Sequence, residues 1–494
     1  MTKRVIGILL MLVMLMLSFS NAFADDIKMT VQGPDGIEQI AVSTTSGKTY
    51  KITKGGEYTF TQSDPDTQVR FNITASAKDA EITIRLNGVN FKPYNTHYYN
   101  SDSGIYLGDG KTIRLVLEKG TVNRIHGGGT TAISIGGYTD CADVIIEGEG
   151  TLYATGGSST YQNSYHSSLH SNGAGIYKGD GKNTLTINSG TIYASGGGSA
   201  ASIGGGCSYS ITDYGSGGTH TGRAVSNIII NGGTIYADTI GPTYDETANN
   251  ITINGGAIYA KQIKCHNNLV INDGYVESIR GKNGTGIVTK DIIINGGTII
   301  AGSGNQTEKD GKYAAIGYDD QGEDCSIKIT GGKVIAFTGT GYNPIGGRFA
   351  SGSTHKIIPV TGKTITVKSG TDVHNILKTT VCTDETLISA VTAGNYIEIN
   401  TACQHTGKTE VRGAVEPTYE SEGYTGDTYC LECEEKIADG KVIPALIKPS
   451  DNLADDLGNT NNLPQTGDNS HIALWLALLM LAGTATLILN RKTA

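Results

Sequence analysis

One ten-residue stretch, Ile228 to Ala237 (Ile-Ile-Ile-Asn-Gly-Gly-Thr-Ile-Tyr-Ala), recurs through the middle of the chain and limits the folds open to it. Near-copies occupy Val144 to Ala154, Leu185 to Ala194, Ile251 to Ala260, Leu269 to Ser278, Ile292 to Ala301 and Ile327 to Ala336. From the second of these on, the turn glycine falls at 190, 233, 256, 274, 297 and 332, at intervals of 43, 23, 18, 23 and 35 residues. That is the range in which one supersecondary unit stacks on its neighbours.

Alternation within the unit assigns faces, because successive residues of a strand point to opposite sides. Leu185 and Ile187, Ile251 and Ile253, and Ile327 and Ile329 point inward, while Thr186, Thr252 and Lys328 point outward. After the Asn-Gly-Gly turn the pattern restarts with Ile192, Ile235, Ile258, Ile299 and Val334 inward and Thr or Tyr outward. A third strand is expected at Ala132–Gly136, Ala201–Gly204, Ala314–Gly317 and Pro344–Gly346. Two short strands in every unit and a third in the longer ones, joined by turns and stacked without hairpins, predict a parallel β-helix with isoleucine ladders in a narrow core. The alternative is an antiparallel β-sandwich, which needs hairpin turns at regular spacing.

Composition narrows the function classes. The 494 residues include 69 Gly but only 10 Pro, and no collagen-like triplet period is present. A net charge of −9, a pI near 5.6 and the lack of a basic stripe argue against a nucleic-acid partner. Eight Cys in so long a chain do not make a disulfide framework of the small secreted kind.

The ends carry targeting features. Lys3 and Arg4, the apolar run Val5 to Leu17 and Ala22-Phe-Ala24 predict a secretory signal peptide over residues 1–24, with a short membrane anchor as the alternative. Residues 25–44 are expected to form a leading strand or cap, and 45–350 the repeats. Within that span, Tyr50–Phe60, Ala80–Asn90 and Ser103–Tyr106 resemble the opening of bacterial surface proteins described as carbohydrate-binding domain-containing β-helices. The resemblance implies a right-handed, pectate-lyase-like parallel β-helix that binds acidic plant or cell-wall polysaccharide, with calcium as an associated ion. It names no ligand. Gly104–Lys111 and Gly175–Lys182 both end in Gly-Asp-Gly-Lys but lack the first glycine of a phosphate loop, so each reads as a turn whose Asp-Gly pair enters positive φ.

Strand-like runs over residues 351–401, without the Asn-Gly-Gly turn, are expected to close the end of the solenoid. Residues 402–446 resemble a small Cys/His module of bacterial surface proteins. There Cys403, His405, Cys430 and Cys433 have the two-pair spacing of a tetrahedral zinc site, with a Cys403–Cys430 or Cys403–Cys433 disulfide as the alternative. A polar linker (447–462) leads to Leu463-Pro464-Gln465-Thr466-Gly467, an apolar transmembrane segment (472–489), and Arg491 and Lys492. The order of these features is similar to the LPXTG sorting signal (463–494) of Gram-positive surface proteins. The resemblance implies a sortase that cuts between Thr466 and Gly467 and joins Thr466 to peptidoglycan. The chain would then be secreted, transiently membrane-bound and finally attached to the cell wall. An ordinary tail-anchored membrane protein is the alternative.

Because parallel β-helices often host polysaccharide lyases and hydrolases, a catalytic set was sought. Asp319-Asp320 is similar to the paired aspartates of polygalacturonases, yet the accompanying Asn-Thr-Asp, Gly-His-Gly and Arg-Ile-Lys motifs are missing. Asp319, Asp320, Glu323 and Asp324 crowd one segment that would hold calcium or simply be solvated. His126, His166, His170 and His220 read as surface residues of Gly- or Ser-rich loops. No organic cofactor is indicated. Tyr153, Tyr193, Tyr236 and Tyr259 share one outward offset and should form a column about 4.8 Å apart, broken at Glu277, Ile300 and Ile335. Either the column stacks against sugar rings or the tyrosines stack on one another. The expected function is a surface protein that binds polysaccharide or host glycan without cleaving it. Its rivals are a polysaccharide lyase or hydrolase and a passive stalk or protein-binding adhesin.

Overall fold

The computed structural model describes residues 27–446 apart from 94–102, 137–141, 162–167, 179–182, 199, 206–207, 213–217, 222–225, 243–248, 282–283, 305–308, 318–324, 347–353, 361–362, 403–407 and 432–435. The segments expected to be signal peptide, linker and sorting signal lie outside the described residues. The protein is almost entirely β, with one short helix, Ile388–Val391, among the described residues. Contacts divide the chain into a unit ending at Gln404 and a second beginning at His405.

In the first unit 32 strands belong to one sheet. Its repeats pair parallel, each strand with the equivalent strand of the copies before and after it. In the first column Val144 pairs with Leu185, Leu185 with Ile228, Ile228 with Ile251, Ile251 with Leu269 and Leu269 with Ile292. The second column holds Ile192, Ile235, Ile258, Val276 and Ile299 in register. The third runs through Ile73, Ile105, Ile133, Ile176, Ile203, Ile240, Ile263, Ile287 and Ile316. It therefore continues through copies in which no third strand was expected, because a single isoleucine in an extended run is enough to keep the column. All these residues are at most 1% exposed and share one core. Each buried isoleucine contributes on the order of 1.5–3 kcal/mol of transfer free energy.

Turn and ends follow from local chemistry. The repeat-turn glycines 190, 233, 256, 274, 297 and 332 all have positive φ, a conformation side chains rarely adopt. Asp109 and Gly110 do not, so the Gly108–Gly110 bend forms without the positive φ expected of its Asp-Gly pair. At the N-terminal end Lys28–Gly33 and Gly36–Ala41 make a hairpin whose first strand pairs antiparallel with Gly56–Gln62, over a core of Phe60, Phe71 and Phe91. At the other end Lys333–Phe337 pairs antiparallel with Tyr396–Ala402, which pairs antiparallel with Thr364–Gly370. Antiparallel strands thus stop the parallel stacking at both ends of the first column and at the C-terminal end of the second, which covers edges that would otherwise recruit further strands.

Two insertions depart from the loop reading. Ser158–Tyr161 and Ser168–Asn172 form one hairpin, Ser208–Thr212 and Gly218–Thr221 another, and the two pair antiparallel into a four-stranded sheet. His170 and His220 stand on these strands and His126 ends Val122–His126; His166 lies outside the described residues. The segments read as loops because they lack apolar alternation, yet their Ser, Thr and Tyr content suits a solvated strand. The second unit contains an antiparallel sheet of Thr409–Arg412, Asp427–Cys430 and Lys436–Ala438, and Gly423–Tyr424 paired with Val442–Ile443.

Candidate functional site

The outward face of the second column carries the tyrosines. Leu152, Ile192, Ile235 and Ile258 point into the core, so the residue after each must point out. Identical registers then place Tyr153, Tyr193, Tyr236 and Tyr259 one above another. Successive ring centroids are 4.6, 4.6 and 5.0 Å apart, with planes within 7°, 6° and 10°. Of the two arrangements open to such a column, the rings adopt the one in which they stack on each other. Their faces are covered by neighbours, and Tyr153 and Tyr236 are only 36% and 37% exposed. A sugar ring cannot lie flat along this column; the ring edges and phenol hydroxyls are what meet solvent. Parallel pairing dictates this, since identical rings in register sit one strand spacing apart.

The column is terminated electrostatically. Arg124, in register with Tyr153, places its guanidinium 5.5 Å from that ring's centroid. Glu277, in register with Tyr259, accepts a hydrogen bond from the Tyr275 hydroxyl at 2.8 Å. Burial first, then the Glu277 carboxylate, pushes the Tyr275 phenol up to about 12. Burial and the flanking phenols also raise the Tyr193 hydroxyl. The tyrosines line an open groove of about 500 Å³ with Thr155, Ser195, Asp238, Lys261, Glu277 and Ile279. Lys261 and Asp238 form an ion pair at 2.5 Å across its wall. Hydroxyls, a carboxylate and an ammonium beside aromatic edges make a surface able to exchange hydrogen bonds with a polyhydroxylated ligand.

Other expected site residues are placed unevenly. Cys430 ends its strand and is buried, while Cys403, His405 and Cys433, the other members of the expected zinc set, lie outside the described residues. Asp319, Asp320 and Asp324, the calcium candidates, also lie outside them, as do Leu463, Pro464, Gln465, Thr466, Gly467 and the apolar run 472–489. Among the described residues no group of three or more His, Cys, Asp or Glu could hold a metal ion, and no helix is long and apolar enough to cross a membrane.

A further feature of the outward surface was not expected from the sequence. Asn188, Asn231, Asn254, Asn272 and Asn295 form an amide ladder, each donating from Nδ2 to the residue before it at 2.7–3.2 Å, starting on the Glu147 carboxylate. Thr330 closes the series on Asn295 at 2.7 Å. A shorter ladder links Asn268, Asn250 and Asn227. The recurrent Asn of the turn was the available signal, since in parallel register a turn former repeated in every copy must face itself.

Residues 46–170 match the family model described as carbohydrate-binding domain-containing protein. The match takes in the early repeats and the first tyrosine of the column, Tyr153. No curated protein and no solved structure matches the chain.

Proposed function

We propose that this chain binds polysaccharide or host glycan along the tyrosine groove without cleaving it. The match of residues 46–170 to a carbohydrate-binding family carries the reading, and the groove supplies a surface of suitable chemistry. In-register parallel pairing in three columns supports a right-handed, pectate-lyase-like β-helix as the architecture; a crystal structure with hairpins between the repeat strands would sink that part. The test of binding replaces Tyr153, Tyr193, Tyr236 and Tyr259 with Phe, which removes four hydroxyls and keeps the stacking. Each lost hydrogen bond is worth about 0.5–1.5 kcal/mol, so with four removed the affinity for a bound member of a panel of pectins, peptidoglycan and mucins should fall by roughly one and a half to four decades. Unchanged affinity electrophoresis with unchanged unfolding temperature would place the ligand elsewhere. Release of reducing ends or unsaturated products from the bound polysaccharide would instead make it an enzyme.

The setting proposed for this binding is the Gram-positive cell wall, reached through the signal peptide and a sortase acting at Thr466. The support is the ordered set of motif, apolar segment and basic tail. Thr466→Ala should leave the protein unprocessed in the membrane fraction, and undiminished covalent attachment to peptidoglycan would overturn the assignment. Zinc at Cys403, His405, Cys430 and Cys433 is proposed from their spacing; elemental analysis finding no zinc would leave the disulfide. Calcium at Asp319, Asp320 and Asp324 is proposed from their crowding, and loss of calcium binding on their joint replacement by Asn is the expected result.

A further inference from the structure

A second cavity, of about 300 Å³, adjoins the groove and shares Thr155 with it. Four neighbouring strands build it. Arg70 pairs with Lys92 while Val69 pairs with Phe91; Phe91 pairs with Ile125, which brings His126 beside Lys92; and His126 pairs with Thr155. Since Val69, Phe91 and Ile125 are fully buried, the residue after each points outward, and Arg70, Lys92, His126 and Thr155 form one row. Gln68 and the bare backbone of Gly127, Gly128, Gly156 and Gly157 complete the lining, and no acidic residue takes part.

The charge pattern is what marks this row. Several basic side chains of the early repeats are matched by carboxylates: Arg85 with Glu57 and Glu118 at 2.7 and 2.9 Å, Lys111 with Glu81 at 3.0 Å, Arg114 with Glu147 at 3.1 Å. Arg70, Lys92 and the adjacent Arg124 have no ion-pair partner among the described residues. In a chain of net charge −9 that leaves an uncompensated positive pocket. Arg70 is further held in place by donating from Nη1 to the Pro93 carbonyl at 3.2 Å. Burial, then Lys92 and Arg124, lowers the His126 imidazole below its ordinary value.

We propose that Arg70, Lys92, His126 and Thr155 bind a tetrahedral oxyanion, the sulfate or phosphate ester of a substituted glycan whose chain continues into the tyrosine groove. Donors from four side chains on four different strands reach a bound anion from separate directions, which the three terminal oxygens of a sulfo or phosphoryl group can meet out of one plane, whereas a carboxylate presents its two oxygens within a single plane. The glycan context rests on the function proposed above; the pocket does not.

The test therefore uses small anions first. The full chain, labelled at its histidines, is titrated by NMR with inorganic sulfate, inorganic phosphate and acetate. Sulfate or phosphate should raise the His126 pKa and bind more tightly than acetate, and whichever of the two is preferred identifies the ester. Lys92→Gln should weaken the preferred anion by about tenfold, and Lys92→Glu should abolish the His126 response, both with unchanged unfolding temperature. Acetate binding as tightly as sulfate and phosphate, or a His126 pKa indifferent to all three, would overturn the proposal. Because these measurements contain no glycan, they fail independently of the Tyr→Phe series, which tests the groove alone.

Discussion

The closeness with which the copies stack can be tested at three glycines that separate its physical components. Gly256 closes a repeat turn at φ +90°, and a Cβ there would stand 2.8 Å from the Gly233 carbonyl oxygen and 2.9 Å from the Gly232 carbonyl carbon. Gly256→Ala thus combines left-handed backbone strain, about 1–2 kcal/mol, with a clash against backbone that is itself hydrogen-bonded into the sheet, about 1–3 kcal/mol. The total is roughly 2–5 kcal/mol. Gly120 also has positive φ, +72°, but nothing lies within 4 Å of its missing Cβ, so Gly120→Ala should cost only the strain of about 1–2 kcal/mol. Gly281 has neither positive φ nor a neighbour within 4 Å. Ala there should be neutral or stabilising by up to about 1 kcal/mol through the unfolded chain. Urea unfolding followed by circular dichroism ranks the three. Should Gly256→Ala cost no more than Gly120→Ala, the carbonyl of one copy does not press on the turn of the next, and the stacking argued here is wrong.

Three further outcomes are expected. Ile253→Asp buries a charge between Ile230 and Ile271, where no partner exists in the isoleucine column, and should cost on the order of 4 kcal/mol or more. Thr252→Asp, pointing outward, should stay within about 1 kcal/mol, and equal shifts in unfolding temperature would reverse the assigned faces. Asn254→Ala removes the hydrogen bonds to Asn231 and from Asn272, 2.8 and 2.7 Å long. It should cost about 1–2 kcal/mol, and a null result by chemical denaturation would reduce the ladder to decoration. His126 has a pKa lowered first by burial and then by Lys92 and Arg124. Stability is therefore complete above its unfolded value, about 6.5, and declines as pH falls through the window below it, because the unfolded chain takes the proton first. His126→Gln should lose that decline, and parallel stability–pH curves for the two proteins would refute it.

The inward ladders were legible because they depend only on local alternation: Leu185, Ile187 and Ile192 announce their faces without reference to any other copy. Properties that arise between copies were less so. The tyrosine offset was visible, but whether the rings would stack on sugar or on themselves depends on strand spacing, and 4.6 Å between centroids settles it for self-stacking. The asparagine ladder was concealed by a good local explanation, since Asn before Gly-Gly already satisfies a turn. The cationic row has no motif at all: Arg70, Lys92 and His126 are brought together solely by register between strands of different copies. For the sorting motif and the candidate metal ligands apart from Cys430, the sequence remains the basis of the reading.

Variable spacing and constant register look contradictory until the insertions are located. From Leu185 on, the segment from the first strand through the turn to the second strand keeps one length, so its columns of isoleucine and asparagine stay aligned, and the one extra residue of Val144 to Ala154 is absorbed in its turn, so that Tyr153 still pairs with Tyr193. Length varies after the second strand. In the copy with the shortest interval, Ala257–Ile271 runs through as one strand into the next turn; in the longer ones the four-stranded hairpin sheet is inserted. One hairpin leaves the core just beyond Tyr153-Ala154-Thr155, directly after residues that line the groove and the cationic pocket, and the other follows the third-column strand Ile203–Gly204, downstream of Tyr193-Ala194-Ser195. Insertions there cost the ladders nothing, because the parallel pairs on either side still find their partners. The part of the repeat free to change length is therefore the part that borders the proposed binding surface, while the part that carries the core cannot change.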